Sequence, residues 1–175
     1  WGQTLEESLS ETGEIWSRMS HVAAENPHAR IRDRLTPEQI VVAAADNPMV
    51  AFPYTRRMVA NSRVNQGAAL LVMSLEQARR RRISAERMVF VGAGAAAHES
   101  DDYLLRPGYE RSAGMEVSIE RALSFNGLTA QELDYVELYS CFPCIPKMAR
   151  RILQWDLARP VSVYGGLTFG GGPIA

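Results

Sequence analysis

The sequence has few of the residues that most simply announce chemistry. Its 175 residues include two cysteines and three histidines. Two cysteines cannot build a disulfide framework. His21, His28 and His98 lie apart with no H-x-x-x-H spacing, and there is no second C-x-x-C, so a zinc site lacks the ligand set it needs and no metal is expected. An excess of charge of one sign is also missing. The net charge is −1, which argues against nucleic acid or an anionic membrane as a partner. The one dense charge run, Arg79 to Arg82, closes a helical pattern, where cations complement the negative end of the helix dipole. No apolar run approaches the length of a membrane span and no leader-like opening is recognisable, so the expectation is a cytoplasmic, reduced protein. Internal repeats and low-complexity segments are absent.

What is present is a core-forming chain, 46% hydrophobic, sufficient for one domain. Leu5, Leu9, Ile15, Met19 and Val22 fall at helical spacing over residues 4–25, and Asn26-Pro27 ends that segment. Thr36-Pro37-Glu38-Gln39 reads as a capping box with proline at the first helical position, predicting a helix from Pro37 to about Ala44. The two prolines of residues 47–54 predict an extended loop. From residue 64 onward the pattern alternates. Apolar runs at 64–73, 87–95, 135–139 and 161–164 read as buried strands. Ser74 caps a helix to about Arg81, Ser112 opens a long helix striped by Met115, Ile119, Ala122 and Leu123, Thr129 to Glu132 is a second capping box, and a helix follows from about Pro143 to Leu153. This alternation predicts an α/β layered fold over 61–175, with residues 1–60 a helical and loop excursion packed over it. A start at Trp1 and an end in a glycine-rich stretch suggest a piece of a longer protein, with exposed apolar surface where the remainder would sit.

Both cysteines lie in Cys141-Phe142-Pro143-Cys144, between a strand pattern and a helix pattern. A helix N-terminus favours a thiolate, so a thiol–disulfide module is one reading; it is disfavoured by Pro146 in the same turn and by the late position in the chain. A structural metal clip is a second, without further ligands. The third is positional. Tyr139, Ser140, Cys141 and Phe142 leave the C-terminal end of a strand, where α/β sheets gather ligand-binding loops. Gly165, Gly166, Gly171 and Gly172 leave the next, and glycines there let backbone N–H groups approach a ligand, a device used in acyl transfer. His98-Glu99-Ser100-Asp101-Asp102 reads as a solvated loop, and Gly92-Ala93-Gly94 lacks the third glycine of a dinucleotide fingerprint.

At these two loops the sequence resembles the thiolase superfamily, and within it the sterol-carrier-protein-type thiolases and thiolase-like acetyl-CoA acetyltransferases. Glu137-Leu138-Tyr139-Ser140-Cys141-Phe142 is similar to that family's "ELHDCF", and Gly165-Gly166-Leu167-Thr168-Phe169-Gly170-Gly171-Gly172-Pro173-Ile174-Ala175 to its "GGLxxxGHPxGA". Residues 64–83 resemble its "CDGAAALVLAS" strand and following helix, and residues 118–138 its "AGLSPEDIDVVEL" helix and strand.

The resemblance implies a thiolase-like layered α/β fold. Residues 1–60 would be the end of its loop domain, and 61–175 a truncated C-terminal half. It implies an acyltransferase of lipid metabolism acting on acyl-CoA thioesters, in the manner of an acetyl-CoA acetyltransferase or 3-ketoacyl-CoA thiolase. The nucleophilic cysteine would lie outside this chain, coenzyme A would enter as part of the substrate with no separate cofactor, and a homodimer or complex subunit would be the full-length form. Tyr139, Ser140 and Cys141 are then the candidate catalytic loop, and Phe142, Gly165, Gly166, Gly171 and Gly172 the substrate-binding residues. The sequence departs from the family at three of these places. Tyr139 stands for its histidine, Ser140 for its aspartate, and Gly172 for the G-H-P histidine that activates the nucleophile. A non-catalytic thiolase-fold protein that binds acyl-CoA or a partner subunit is the alternative.

Overall fold

The computed structural model describes residues 1–173; Ile174 and Ala175, the last two positions of the glycine-rich motif, lie outside the described residues. Helix α1 (Leu5–Glu25) begins where the Thr4 hydroxyl accepts from the Glu7 N–H and the Glu7 carboxylate accepts from the Thr4 N–H. These two bonds satisfy backbone donors that a helix start leaves free. Ile15, Trp16, Met19 and Ala23 form its buried stripe, one face of a 3.6-residue period. They meet Leu35, Ile40, Met58, Val161 and Phe169 in the main core cluster. Leu5, part of the expected stripe, is exposed, because the stripe turns away from the core in the first turn.

Helix α2 (Pro37–Val41) carries the expected capping box through Thr36 and Gln39. It is shorter than the sequence pattern suggests and stops at Val42, which is extended. The two-proline loop holds a short antiparallel hairpin, β1 (Met49–Ala51) with β2 (Tyr54–Thr55). Asn47 is fully buried behind it. Its amide donates to the carbonyls of Gln39, Ile40 and Val42, so the side chain finishes α2. Helices α3 (Leu75–Arg80) and α4 (Ala113–Phe125) start at Ser74 and Ser112, each with its hydroxyl accepting an N–H three residues on. Helix α5 (Cys144–Ile152) follows the Cys141 loop, and a single π-helical turn occupies Gly166–Gly170.

The four expected strands differ from the sequence reading. Among the described residues, 64–73, 87–95, 135–139 and 161–164 form no β-ladder. One backbone bond, Leu138 N–H to the Val161 carbonyl at 3.0 Å, ties the last two runs together. The first two make no backbone–backbone bonds over 64–73 and 89–95, and Leu70, Leu71, Val72, Val89, Phe90 and Val91 are exposed. A strand buried on both faces needs ladder neighbours on both edges. Residues 1–173 supply none, so these apolar runs stand open.

Two ion clusters brace the packed part. Glu11 of α1 is buried, yet it meets three cations of α5: Arg150 at 2.5 Å, Arg151 at 2.8 Å and Lys147 at 3.9 Å. Burial alone would push the Glu11 carboxyl up, but hydrogen bonds from Arg151, Gln3 and Arg150 outweigh it and hold it at about 2. Burial pulls the Lys147 amine down to about 8, against the attraction of Glu11. In the second, Glu99 accepts from the Ser112 hydroxyl and the Gly114 N–H and pairs with Arg106 at 3.0 Å, which fixes the polar loop onto the start of α4.

Candidate functional site

The loop 139–142 and the glycine turn 165–172 are in contact. Ser140, fully buried, accepts the Leu167 N–H at 2.9 Å. Residues 60–61 run between them: the Ala60 N–H donates to the Cys141 carbonyl, the Asn61 N–H to the Leu167 carbonyl, and the Gly172 N–H to the Asn61 carbonyl. From below, α1 seats the turn. The Trp16 indole N–H donates to the Thr168 hydroxyl at 2.9 Å, and that hydroxyl donates to the Val59 carbonyl. Arg30 and Ile31 N–H groups donate to the Gly170 and Phe169 carbonyls, and the Gln66 amide also donates to Gly170.

Two glycines are required by this seating. Gly165 has φ 112°, and a Cβ there would stand 2.5 Å from the Ala23 Cβ. Gly166 has φ 64°, and its Cβ would meet the Met19 sulfur at 2.6 Å and the Ser140 hydroxyl at 2.9 Å. Both positive dihedrals and the close approach exclude larger residues.

The glycine donors point inward. The Gly165 and Gly166 N–H groups both donate to the Ser162 hydroxyl oxygen, at 2.9 and 2.7 Å. With the Leu167 and Gly172 N–H groups also engaged, the turn does not present at these positions the free donors expected for a ligand oxygen. The polar groups left toward solvent belong to the loop. Tyr139 is exposed, and Phe142 packs its ring against Tyr54 with centroids 5.6 Å apart. The Cys141 thiol beside it pushes the Tyr139 phenol up from its ordinary value, so Tyr139 is a neutral hydrogen-bond donor and no base near neutral pH. Cys144 is pushed up by burial, the opposite of what a reactive thiolate needs. A cavity of about 230 Å³ lies elsewhere, between Trp1, Arg111, Met148 and Arg151.

The structure thus brings Ser140, Gly165, Gly166 and Gly172 together in one wall, with Tyr139, Cys141 and Phe142 along its edge; Gly171 (φ 119°) lies at the far end, its carbonyl accepting from the Tyr164 hydroxyl. Sequence reading missed Ser162 and Glu137. Ser162 reads as a strand residue, and only its place three residues before a Gly-Gly pair hints at a turn-capping hydroxyl. Burial pushes the Glu137 carboxyl up, partly offset by the bonds it accepts from the Val163 N–H and the Ser162 hydroxyl. Among the described residues no three His, Cys, Asp or Glu side chains are grouped as a metal ion would require, and no helix is long and apolar enough to cross a membrane.

No protein-family model and no curated protein matches the chain. Among solved structures, the chain is similar to a monomeric SCP2-thiolase like protein type 1 from Mycobacterium smegmatis, with a TM-score of 0.85 and 32% sequence identity. The similarity covers 98% of this chain and 38% of that one. The fold is therefore an SCP2-thiolase-like α/β fold, and this chain spans a little over a third of that protein's length.

Proposed function

We propose that this chain belongs to a longer protein that acts on acyl-CoA thioesters by acyl transfer, and that it supplies one wall of the thioester site. The observation that carries the reading is the Ser140–Leu167 contact, which joins the two loops of the thiolase-like motif into one surface. Tyr139 would donate a hydrogen bond to the thioester or to a water beside it, and Phe142 with Tyr54 would pack against the acyl portion. The nucleophilic cysteine and any base would come from outside the chain. A cytoplasmic location and self-association, or a place in a larger complex, go with this reading. The test is incubation of the full-length protein with acetyl-CoA. Acyl transfer predicts a cysteine mass increase equal to one acetyl group, with free coenzyme A released in equal amount.

A second reading is favoured by specific residues: Tyr139 and Gly172 stand where the resemblance expects imidazoles, and the glycine N–H groups are internally bonded. Without a base, the protein would bind acyl-CoA without turnover. Saturable, reversible binding with neither adduct nor free coenzyme A would establish that reading over the first.

A further inference from the structure

Gly165 and Gly166 are successive residues with positive φ, 112° and 64°, and their N–H groups converge on one point. Such a concave pair of donors ordinarily receives an anion or a ligand oxygen. Here it is filled from inside by the Ser162 oxygen. Ser162 is buried, and its proton has a fixed destination, the Glu137 carboxylate at 2.8 Å. With the proton directed there, the lone pairs of the serine oxygen face the two glycine donors, and the Tyr164 N–H reaches the same oxygen at the longer distance of 3.3 Å. The same carboxylate oxygen accepts the Val163 N–H at 2.9 Å, so Glu137 holds the hydroxyl and the backbone next to it. The turn set in this way runs close to Ser140, with no room for a Cβ at Gly166, and delivers the Leu167 N–H to the Ser140 hydroxyl. Ser140 in turn lies between Tyr139 and Cys141.

We propose that Glu137 and Ser162 are positioning residues that set the glycine turn, and through Ser140 the loop Tyr139–Phe142, for ligand binding. The ligand half of this proposal rests on the acyl-CoA reading above. The groups act in series: carboxylate to hydroxyl, hydroxyl to paired glycine N–H groups, turn to Ser140, Ser140 to the loop. Neither Glu137 nor Ser162 touches the ligand.

The experiment uses the full-length protein labelled with ¹⁵N-glycine, following the Gly165 and Gly166 amide signals and the acetyl-CoA affinity in parallel. Ser162→Ala should move both amide signals and weaken acetyl-CoA binding about tenfold, since two buried donors lose their shared acceptor. Glu137→Ala, which leaves Ser162 in place, should move the same signals and weaken binding roughly threefold, while Glu137→Gln, which keeps an acceptor oxygen, should restore most of both. If Ser162→Ala does not fold, the Glu137 pair carries the test. Unmoved glycine signals in the folded variants overturn the proposal. Moved signals with unchanged affinity overturn the positioning role and leave the acyl-CoA reading standing. If the unsubstituted protein binds no acetyl-CoA, that reading fails, and the glycine signals still decide whether Glu137 and Ser162 set the turn.

Discussion

The chain contains two regions of similar hydrophobicity and opposite fate. In one, α1 packs with α2 and the glycine turn, and Trp16 is 0% exposed. In the other, residues 62–137, the most apolar stretches of the sequence lie open, with Leu71 87% and Val89 92% exposed. The difference lies in how each backbone is satisfied. A helix closes its own hydrogen bonds and needs only an apolar surface to bury one stripe. A strand that is apolar on both faces needs neighbours to pair its backbone before its side chains can be covered. Hydrophobicity alone therefore does not make a core.

Substitutions can break this contrast directly. Trp16→Ala removes the largest fully buried side chain and the indole bond to Thr168, and should cost about 3–5 kcal/mol in urea unfolding. Glu11→Ala leaves Lys147, Arg150 and Arg151 facing one another in a buried site and should cost about 3 kcal/mol. It also sharpens the pH dependence. Because the Glu11 carboxyl sits at about 2 against an ordinary 4.5, the unfolded chain binds that proton more tightly; the stabilisation is present above pH 4.5 and lost as the pH falls toward 2. Glu11→Ala should flatten that limb of a plot of urea midpoint against pH. Lys147 works in the other sense. Its amine sits at about 8 against 10.5, so the cost of burying the charge is present below pH 8 and relieved as the pH rises toward 10.5. The alkaline limb should therefore rise over that window, and Lys147→Met should remove the rise.

Ser140→Ala should cost about 1–3 kcal/mol, since the Leu167 N–H loses its buried acceptor, and amide exchange at Leu167 should accelerate with it. The smallest effect belongs to the open region. In the 175-residue chain, Leu71→Ser should change thermal stability by no more than about 0.5 kcal/mol, as for other exposed positions, and should lower binding of a hydrophobic dye.

The same contrast explains what could be read in advance. Helix starts depend on residues three apart, so the capping residues Thr36, Ser74, Ser112 and Thr129 were legible, and the structure places each where the pattern predicts. The apolar runs were legible as strand-forming, but whether they pair depends on partners far away in the chain or outside it. Trp16 was passed over as a core residue, although it continues the Ile15–Met19 face. Glu11 was passed over because a charged residue on an amphipathic helix ordinarily faces water, and its three cations arrive from a helix more than 130 residues later. At the site, the meeting of Ser140 with the glycine turn was legible from two loops that each leave an apolar run, which the Leu138–Val161 bond ties together without a ladder. The inward direction of the Gly165 and Gly166 donors did not, because it depends on one serine hydroxyl in a run that reads as strand.

The most direct test is amide hydrogen exchange of the full-length protein, with and without acetyl-CoA, read peptide by peptide. Binding at the proposed wall predicts added protection in the peptides spanning 137–142 and 162–172, with α1 already slow and unchanged. Saturable binding that protects other segments and leaves both of these unaltered would contradict it.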